Sequence, residues 1–291
     1  MHPAPSIILF TALSGLGFGL MIWLGLAPPS KTPWVMGVFS VMALGLAGIG
    51  LLASTFHLGH PERALKAFSQ WRSSWLSREG VVSVATMGTF AAYGGLWVLT
   101  GERIVILGIL ASALAAVTVY CTAMIYAQLK TVPRWNTPLT PLLFMTYALA
   151  GGALLGGKVT YSLILLAALG ILQAIVWWQG DTALARSGSS METATGLGHL
   201  GKVRLLESPH SGTNYLLTEM VYRIGRKHSR KLRGIALALV SVLPVVLGLV
   251  FEVKHMVAAI LVLSHLAGLL VARWLFFAEA EHVVGLYYGR R

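Results

Sequence analysis

Cysteine is nearly absent: Cys121 is the single one in 291 residues. One thiol makes no disulfide framework and supplies no thiolate set for an iron–sulfur cluster. Charge is scarce as well. Asp, Glu, Lys and Arg make up 11% of the chain, against roughly 25% in a soluble domain, so much of the surface faces something other than water. Acidic residues are the rarest, ten against 22 Lys and Arg, for a net charge of +12. Nucleic-acid binders share that balance, but here the basic residues sit between apolar blocks, where they set membrane orientation instead. Long hydrophilic stretches are missing too, with one exception at 180–232. No charged run precedes the first apolar block, Ser6 to Ala27, and no small-residue cleavage motif follows it. That block is expected to be a retained helix rather than a signal peptide.

What is abundant is apolar: 56% of the residues, arranged in long blocks rather than in an amphipathic period. Blocks of about 20 apolar residues cross the hydrocarbon core as helices. This predicts an all-α, polytopic membrane protein, a single membrane domain over 1–291. Eight transmembrane helices are expected at about 6–27, 34–56, 80–100, 104–128, 138–157, 159–179, 233–251 and 255–278. Pro28, Pro29 and Pro33 break the chain after the first span, and Pro133, Pro138 and Pro141 punctuate the approach to the fifth. Pro244 falls inside the seventh, where neighbouring groups must satisfy the carbonyl it frees. Of the 22 Lys and Arg, 17 lie in the even-numbered connections and the C-terminal tail, and four in the odd-numbered connections. The excess predicts an N-in, C-in topology with the even connections in the cytoplasm. The long sixth connection, 180–232, closes on the basic run Arg226 to Lys231. Within it Leu216, Leu217, Met220, Val221 and Ile224 fall on one helical face, which suits a short helix against the membrane surface or a partner subunit.

Ionisable residues at the ends of lipid-buried helices are costly and point to function. The richest cluster follows the second span: His57, His60, Glu62 and Arg63, then Trp71, Arg72, Trp75, Arg78 and Glu79. His57 closes one span and Glu79 opens the next, so both belong to one membrane surface. A histidine hydrogen-bonds a carbonyl oxygen and moves a proton near neutral pH, and a carboxylate relays that proton to water. A membrane-soluble two-electron carrier needs both. The structural reading, His57 closing a helix and Glu79 as a favourable acid at a helix start, is on chemistry alone the commoner case. A second cluster is Arg273 with Phe276, Phe277, Glu279, Glu281 and His282. Arg273 either snorkels to the surface, as most such residues do, or pairs with Glu79 or Glu279. His265 lies mid-helix without a histidine at matching depth in another span, which argues against a bis-histidine haem. Interrupted helices with matching mid-membrane carboxylates are lacking, which argues against an ion-coupled carrier. A transporter and a purely structural tether stand as alternatives from other classes.

At these residues the chain resembles the membrane anchor subunits of dimethyl sulfoxide reductase-type molybdenum enzymes. The likeness runs through His57-Leu58-Gly59 with Pro61 and Arg63-Ala64, Leu76-Ser77 with Glu79, and Thr131-Val132-Pro133 with Trp135. It continues in Thr140-Pro141 with Phe144, in Gln179-Gly180, and in Arg273 with Phe276 and His282. The resemblance implies an anchor that exchanges electrons between membrane quinone, ubiquinone or menaquinone, and a ferredoxin-like subunit with 4Fe-4S clusters. That subunit in turn serves a molybdopterin catalytic subunit. It also implies that His57 and Glu79 take part in quinone binding and proton transfer. Arg63 and Arg273 are expected to bound the pocket, with Tyr126, Trp135 and Gln179 as walls and no haem, metal or cluster in this chain. His60 receives no role from the resemblance. The predicted orientation puts the partners on the cytoplasmic face of a bacterial inner membrane. Together with Met1 to Ser6 and Leu206 to His210, that orientation resembles the branch that anchors cytoplasm-facing sulfite dehydrogenase. The expected reaction is therefore sulfite oxidation with quinone reduction, the alternative being quinol oxidation by a dimethyl sulfoxide reductase.

Overall fold

The computed structural model describes residues 1–56, 60–207, 210, 212, 214–222 and 228–289; of Pro61, Arg63, Ala64 and Ala67 it describes the backbone alone. His57 and the Arg63 side chain thus lie outside the described residues, as does Ile224. Among the described residues there is no strand. Eight apolar helices follow one another: α1 (Pro5–Leu26), α2 (Pro33–Thr55), α3 (Trp75–Thr100), α4 (Val105–Ala127), α5 (Leu139–Leu155), α6 (Val159–Asp181), α7 (Ser229–Val250) and α8 (His255–Ala278). Seven are long and apolar enough to cross a membrane, and α5 is a shorter apolar helix of 17 residues. At about 1.5 Å per residue α5 is about 26 Å long, near the lower limit for a crossing.

Local chemistry sets the helix ends. Pro5 and Pro33 occupy the first turn of α1 and α2, where a missing N–H costs nothing. Gly101, at φ 77°, ends α3 in the left-handed region that favours glycine. The start of α3 differs from the expected position near residue 80. Ser74 caps it, its Oγ accepting from the Ser77 N–H at 3.4 Å, so the helix begins at Trp75. Polar residues at 77–79 hide the first turn from a hydropathy count. The same holds for α7, which begins at Ser229 in a basic run instead of near 233.

α1 is the central helix. In its most apolar stretch 72% of residues are buried, against 22–44% in the other six long spans. It packs on α2, α4, α5 and α8, while α3 closes against α4 and α2, and α6 against α5 and α7. Small residues permit this. Gly19 of α1 meets Ala148 and Gly152 of α5 backbone to backbone, and a Cβ on Gly19 or Gly152 would collide there. Such contacts replace the hydrophobic drive that lipid does not provide.

The connections alternate between two ends. One end, rich in Lys and Arg, collects 60–74, 128–138, 182–222 and 279–289. The 180–232 connection, where it is described, packs against Val283–Tyr288 at this end. It forms short helices at Ala183–Arg186 and Met191–Thr195 and a π-turn at Leu216–Met220 with Val221 buried, while the end of the expected amphipathic face, Ile224, lies outside the described residues. It is pinned by Tyr287 Oη donating to Ala194 O at 2.5 Å, Asn214 Nδ2 donating to Tyr288 Oη at 3.1 Å, and His2 N donating to Glu219 O at 2.6 Å.

Candidate functional site

The early start of α3 carries Glu79 past the first turn and onto the face that meets α4. Glu79 is 4% exposed, and Thr122 Oγ1 of α4 donates to its carboxylate. Thr122 also lies 3.1 Å from the Thr118 carbonyl of its own helix, and Thr118 Oγ1 sits 2.9 Å from Thr86 Oγ1 of α3. Threonines four residues apart on α4 thus form a polar stripe toward α3. Tyr126, one turn beyond Thr122, is the hub of an aromatic cluster with Trp135, Phe144, Phe276 and Phe277 at centroid distances of 5.3–5.7 Å. Trp135 stacks on Phe276 at 5.1 Å and donates its Nε1–H to the Phe276 carbonyl at 3.0 Å.

Arg273 lies five residues before the end of α8 and does not snorkel; it is 2% exposed. Its guanidinium carbon sits 3.8 Å from the Phe144 ring centroid and 4.9 Å from that of Tyr147. Cation–π contact compensates part of the lost hydration. Its Nε has no hydrogen-bond partner, and among the described residues no carboxylate pairs with it. Tyr147 Oη in turn donates to Gln173 Oε1 at 2.8 Å.

Two small cavities adjoin Arg273. One, of about 10 Å³, is lined by Thr11, Ser14, Phe18, Val119, Thr122, Phe144 and Arg273, and so connects the Glu79–Thr122 pair to the guanidinium. The other, of about 20 Å³, lies among Arg134, Trp135, Tyr147, Gln173, Trp177, Phe276 and Glu279. Each has room for about one water molecule. A ring-sized ligand therefore needs side chains to move.

The alternative partner foreseen for Arg273, Glu279, is engaged elsewhere. Glu279 receives Arg233 Nε at 2.7 Å and lies 3.4 Å from Arg134 Nη1, while Asp181 receives Arg134 and Arg233 at 2.6 Å each. Four charges thus tie the 128–138 connection to the ends of α6, α7 and α8. Gly180 makes room for this, since a Cβ there would lie 2.6 Å from Arg134 Nη1. His282 accepts from the Val284 N–H at 3.0 Å and caps the turn after α8; burial holds its imidazole below the usual histidine range.

Of the residues singled out in the sequence, the structure brings together Glu79, Tyr126, Trp135 and Arg273. His57 and the Arg63 side chain lie outside the described residues. Gln179 ends α6 with a buried, unpartnered Oε1 but lines neither cavity; Gln173 does, two turns earlier. Thr122, Phe144, Tyr147 and Gln173 were not assigned from chemistry alone. The available signal for Thr122 was the spacing Thr118, Thr122, Tyr126 on one face of an otherwise apolar helix.

The family model described as DMSO reductase anchor subunit (DmsC) matches residues 1–289. A sulfite dehydrogenase subunit of Allochromatium vinosum is 32% identical over 99% of both proteins. The anaerobic dimethyl sulfoxide reductase chain YnfH of Escherichia coli is 29% identical over 66% of this protein and 73% of its own length. A second anaerobic dimethyl sulfoxide reductase chain of Escherichia coli is 32% identical over 45% of this protein and 49% of its own length.

Proposed function

The chain belongs to the family of DMSO reductase anchor subunits, and from that premise we propose that it anchors a molybdenum oxidoreductase complex and exchanges that complex's electrons with membrane quinone beside Glu79 and Arg273. One observation carries this reading. Thr122, which donates to the almost fully buried Glu79 carboxyl, and the almost fully buried Arg273 guanidinium line one small cavity, and among the described residues no carboxylate pairs with that guanidinium. Unpaired ionisable groups inside a membrane protein cost several kcal/mol, and such residues mark pathways rather than packing.

Quinone accepts two electrons and two protons, and gives them back when the direction reverses. Arg273 supplies fixed positive charge where a carbonyl oxygen gains negative charge. Glu79, oriented by Thr122, passes a proton, and His57 is the second proton-exchanging group. Arg63 bounds the mouth. Tyr126, Trp135 and Phe276 form the aromatic wall, which shifts to admit the ring of ubiquinone or menaquinone, with Gln179 behind it.

The partners are a ferredoxin-like subunit with 4Fe-4S clusters and a molybdopterin catalytic subunit. They dock on the basic end, which the excess of Lys and Arg assigns to the cytoplasmic face of a bacterial inner membrane. The 180–232 connection is part of the docking surface. Similarity to a sulfite dehydrogenase subunit along the whole chain favours sulfite oxidation with quinone reduction. The second reading, quinol oxidation for a dimethyl sulfoxide reductase, draws on the partial matches to the two Escherichia coli proteins.

Purification of the complex in mild detergent tests the proposal. Molybdenum and iron co-purify and sulfite reduces quinone; a lone solute-transporting protein, or a complex without quinone reactivity, overturns it. His57→Ala and Glu79→Gln each lower quinone-coupled turnover by about 100-fold or more, the scale of a lost acid–base group, while turnover with an artificial acceptor persists. With protons exchanged at the same face as the partner, turnover in vesicles is electroneutral; a membrane potential generated by the complex refutes that part.

A further inference from the structure

Away from Glu79 and Arg273, α7 interrupts its own hydrogen-bond ladder. Pro244 has no N–H and leaves the carbonyl of Val240, four residues earlier, without its usual donor. The backbone widens into a π-turn over Ala238–Val242. Two side chains of α8 take up the freed acceptors: Ser264 Oγ donates to Leu239 O at 2.8 Å, and His265 Nδ1 lies 2.9 Å from Val240 O. A carbonyl only accepts, so Nδ1 carries the proton. Nε2 of the neutral ring is then left as an acceptor.

That acceptor has no partner. His265 is 2% exposed, and Nε2 has no hydrogen bond among the described residues. It forms part of the wall of a cleft of about 200 Å³ shaped by Leu13, Leu16, Leu46, Gly151, Leu154 and Leu266, between α1, α2, α5 and α8. Gly151 lets Leu16 and the imidazole close on α5, since a Cβ there would collide with Leu16 Cδ2 and stand 3.1 Å from Nε2. Walls this apolar exclude water. The missing donor must therefore arrive on a molecule that is itself apolar.

Depth narrows the choice. His265 is the eleventh residue of α8, about 15–20 Å along the helix from either end. A lipid alcohol tethered by its headgroup stays at the interface, whereas a ring whose polar groups are hydroxyls alone enters the middle. A phenol-type O–H is also more acidic than an alkyl one and the better donor to imidazole. We propose that this cleft is a mid-membrane binding site for a ring hydroxyl of a hydroquinone-type lipid, which donates to His265 Nε2. The site is separate from the one at Glu79 and does not depend on it.

Photolabelling of the intact complex in nanodiscs tests the assignment. The probe is an alkylphenol carrying a diazirine, compared with its methyl ether, which lacks the donor. The phenol labels α1, α2 and α8 peptides around the cleft, and the ether labels them about tenfold less, the scale of one net hydrogen bond. Leu13→Phe, which fills the cleft and leaves the His265–Val240 contact intact, lowers phenol labelling by a similar factor. Glu79→Gln leaves it unchanged, which separates failure here from failure of the quinone site. Decylhydroquinone competes with the probe. Equal labelling by the ether, insensitivity to Leu13→Phe, or competition by dodecanol alone overturns the assignment.

Discussion

Glu79 and Glu279 are about equally hidden, 4% and 5% exposed, yet they are treated differently by their surroundings. Glu279 belongs to a closed set in which Arg134 and Arg233 share it with Asp181. Glu79 has a threonine for a partner, and Arg273, across the adjoining cavity, has two aromatic rings. The closed set joins four chain segments and balances its own charges, two carboxylates against two guanidiniums. The open pair joins little and keeps its charge available. Burial is therefore common to both places in this bundle, and the lack of a counter-charge is what sets the proposed site apart.

The largest effect that sharpens this contrast is at the open pair. Arg273→Gln removes the fixed charge without breaking an ion pair, because no carboxylate pairs with it among the described residues. Quinone-coupled turnover should fall by about 100-fold, the scale of one preorganised electrostatic donor. The unfolding midpoint of the solubilised complex should stay near that of the parent. If turnover persists and the midpoint drops, Arg273 belongs with the structural charges and the contrast fails. Thr122→Val is a milder test of the same pair. It keeps the shape and removes the hydroxyl that orients Glu79, so turnover should fall about tenfold, one hydrogen bond's worth. An unchanged rate with quinone would detach Glu79 from α4 in the mechanism.

Much of this arrangement was legible from composition and order of residues. Eight apolar blocks predicted eight helices, and seven are long enough to cross unaided. The requirement that some group satisfy the carbonyl freed by Pro244 is met by His265, a residue that hydropathy alone marks only as anomalous. Other features were hidden for physical reasons. The start of α3 is polar and is set by a Ser74 cap, which a window average over apolar residues does not register. The Arg134–Asp181–Arg233–Glu279 set joins residues far apart in the chain, and the choice of Glu279's partner depends on where four helix ends converge. Sequence offered Arg273 as a candidate for that role; packing gave it to Arg233 and Arg134. That Gln173 lies beside Tyr147 depends on the rotation of α6 about its axis, which a helix apolar on most faces does not reveal.

The closed set yields smaller effects of the opposite kind. Glu279→Gln leaves two guanidiniums sharing Asp181 alone at a nearly dry position. Removing one partner of a buried pair costs on the order of 3 kcal/mol, measured by chemical unfolding in mixed micelles, while turnover per assembled complex stays at the parent's level. A large loss of turnover in fully assembled complex would make Glu279 a member of the site, next to the cavity it borders.

Asp181→Asn is the weakest perturbation and the most discriminating. The Asp181 side chain is 47% exposed, so water screens what its two arginines lose. An exposed pair contributes about 1 kcal/mol or less, and the asparagine carbonyl still accepts from one guanidinium. Stability should therefore fall by no more than about 1 kcal/mol, clearly less than for Glu279→Gln, and the double variant should lose more than the sum, because each carboxylate still holds the two arginines when the other is gone. Additive losses would mean that the two carboxylates act separately, Asp181 as a surface charge and Glu279 on its own. The four residues would then no longer form the closed unit against which Glu79 and Arg273 stand out.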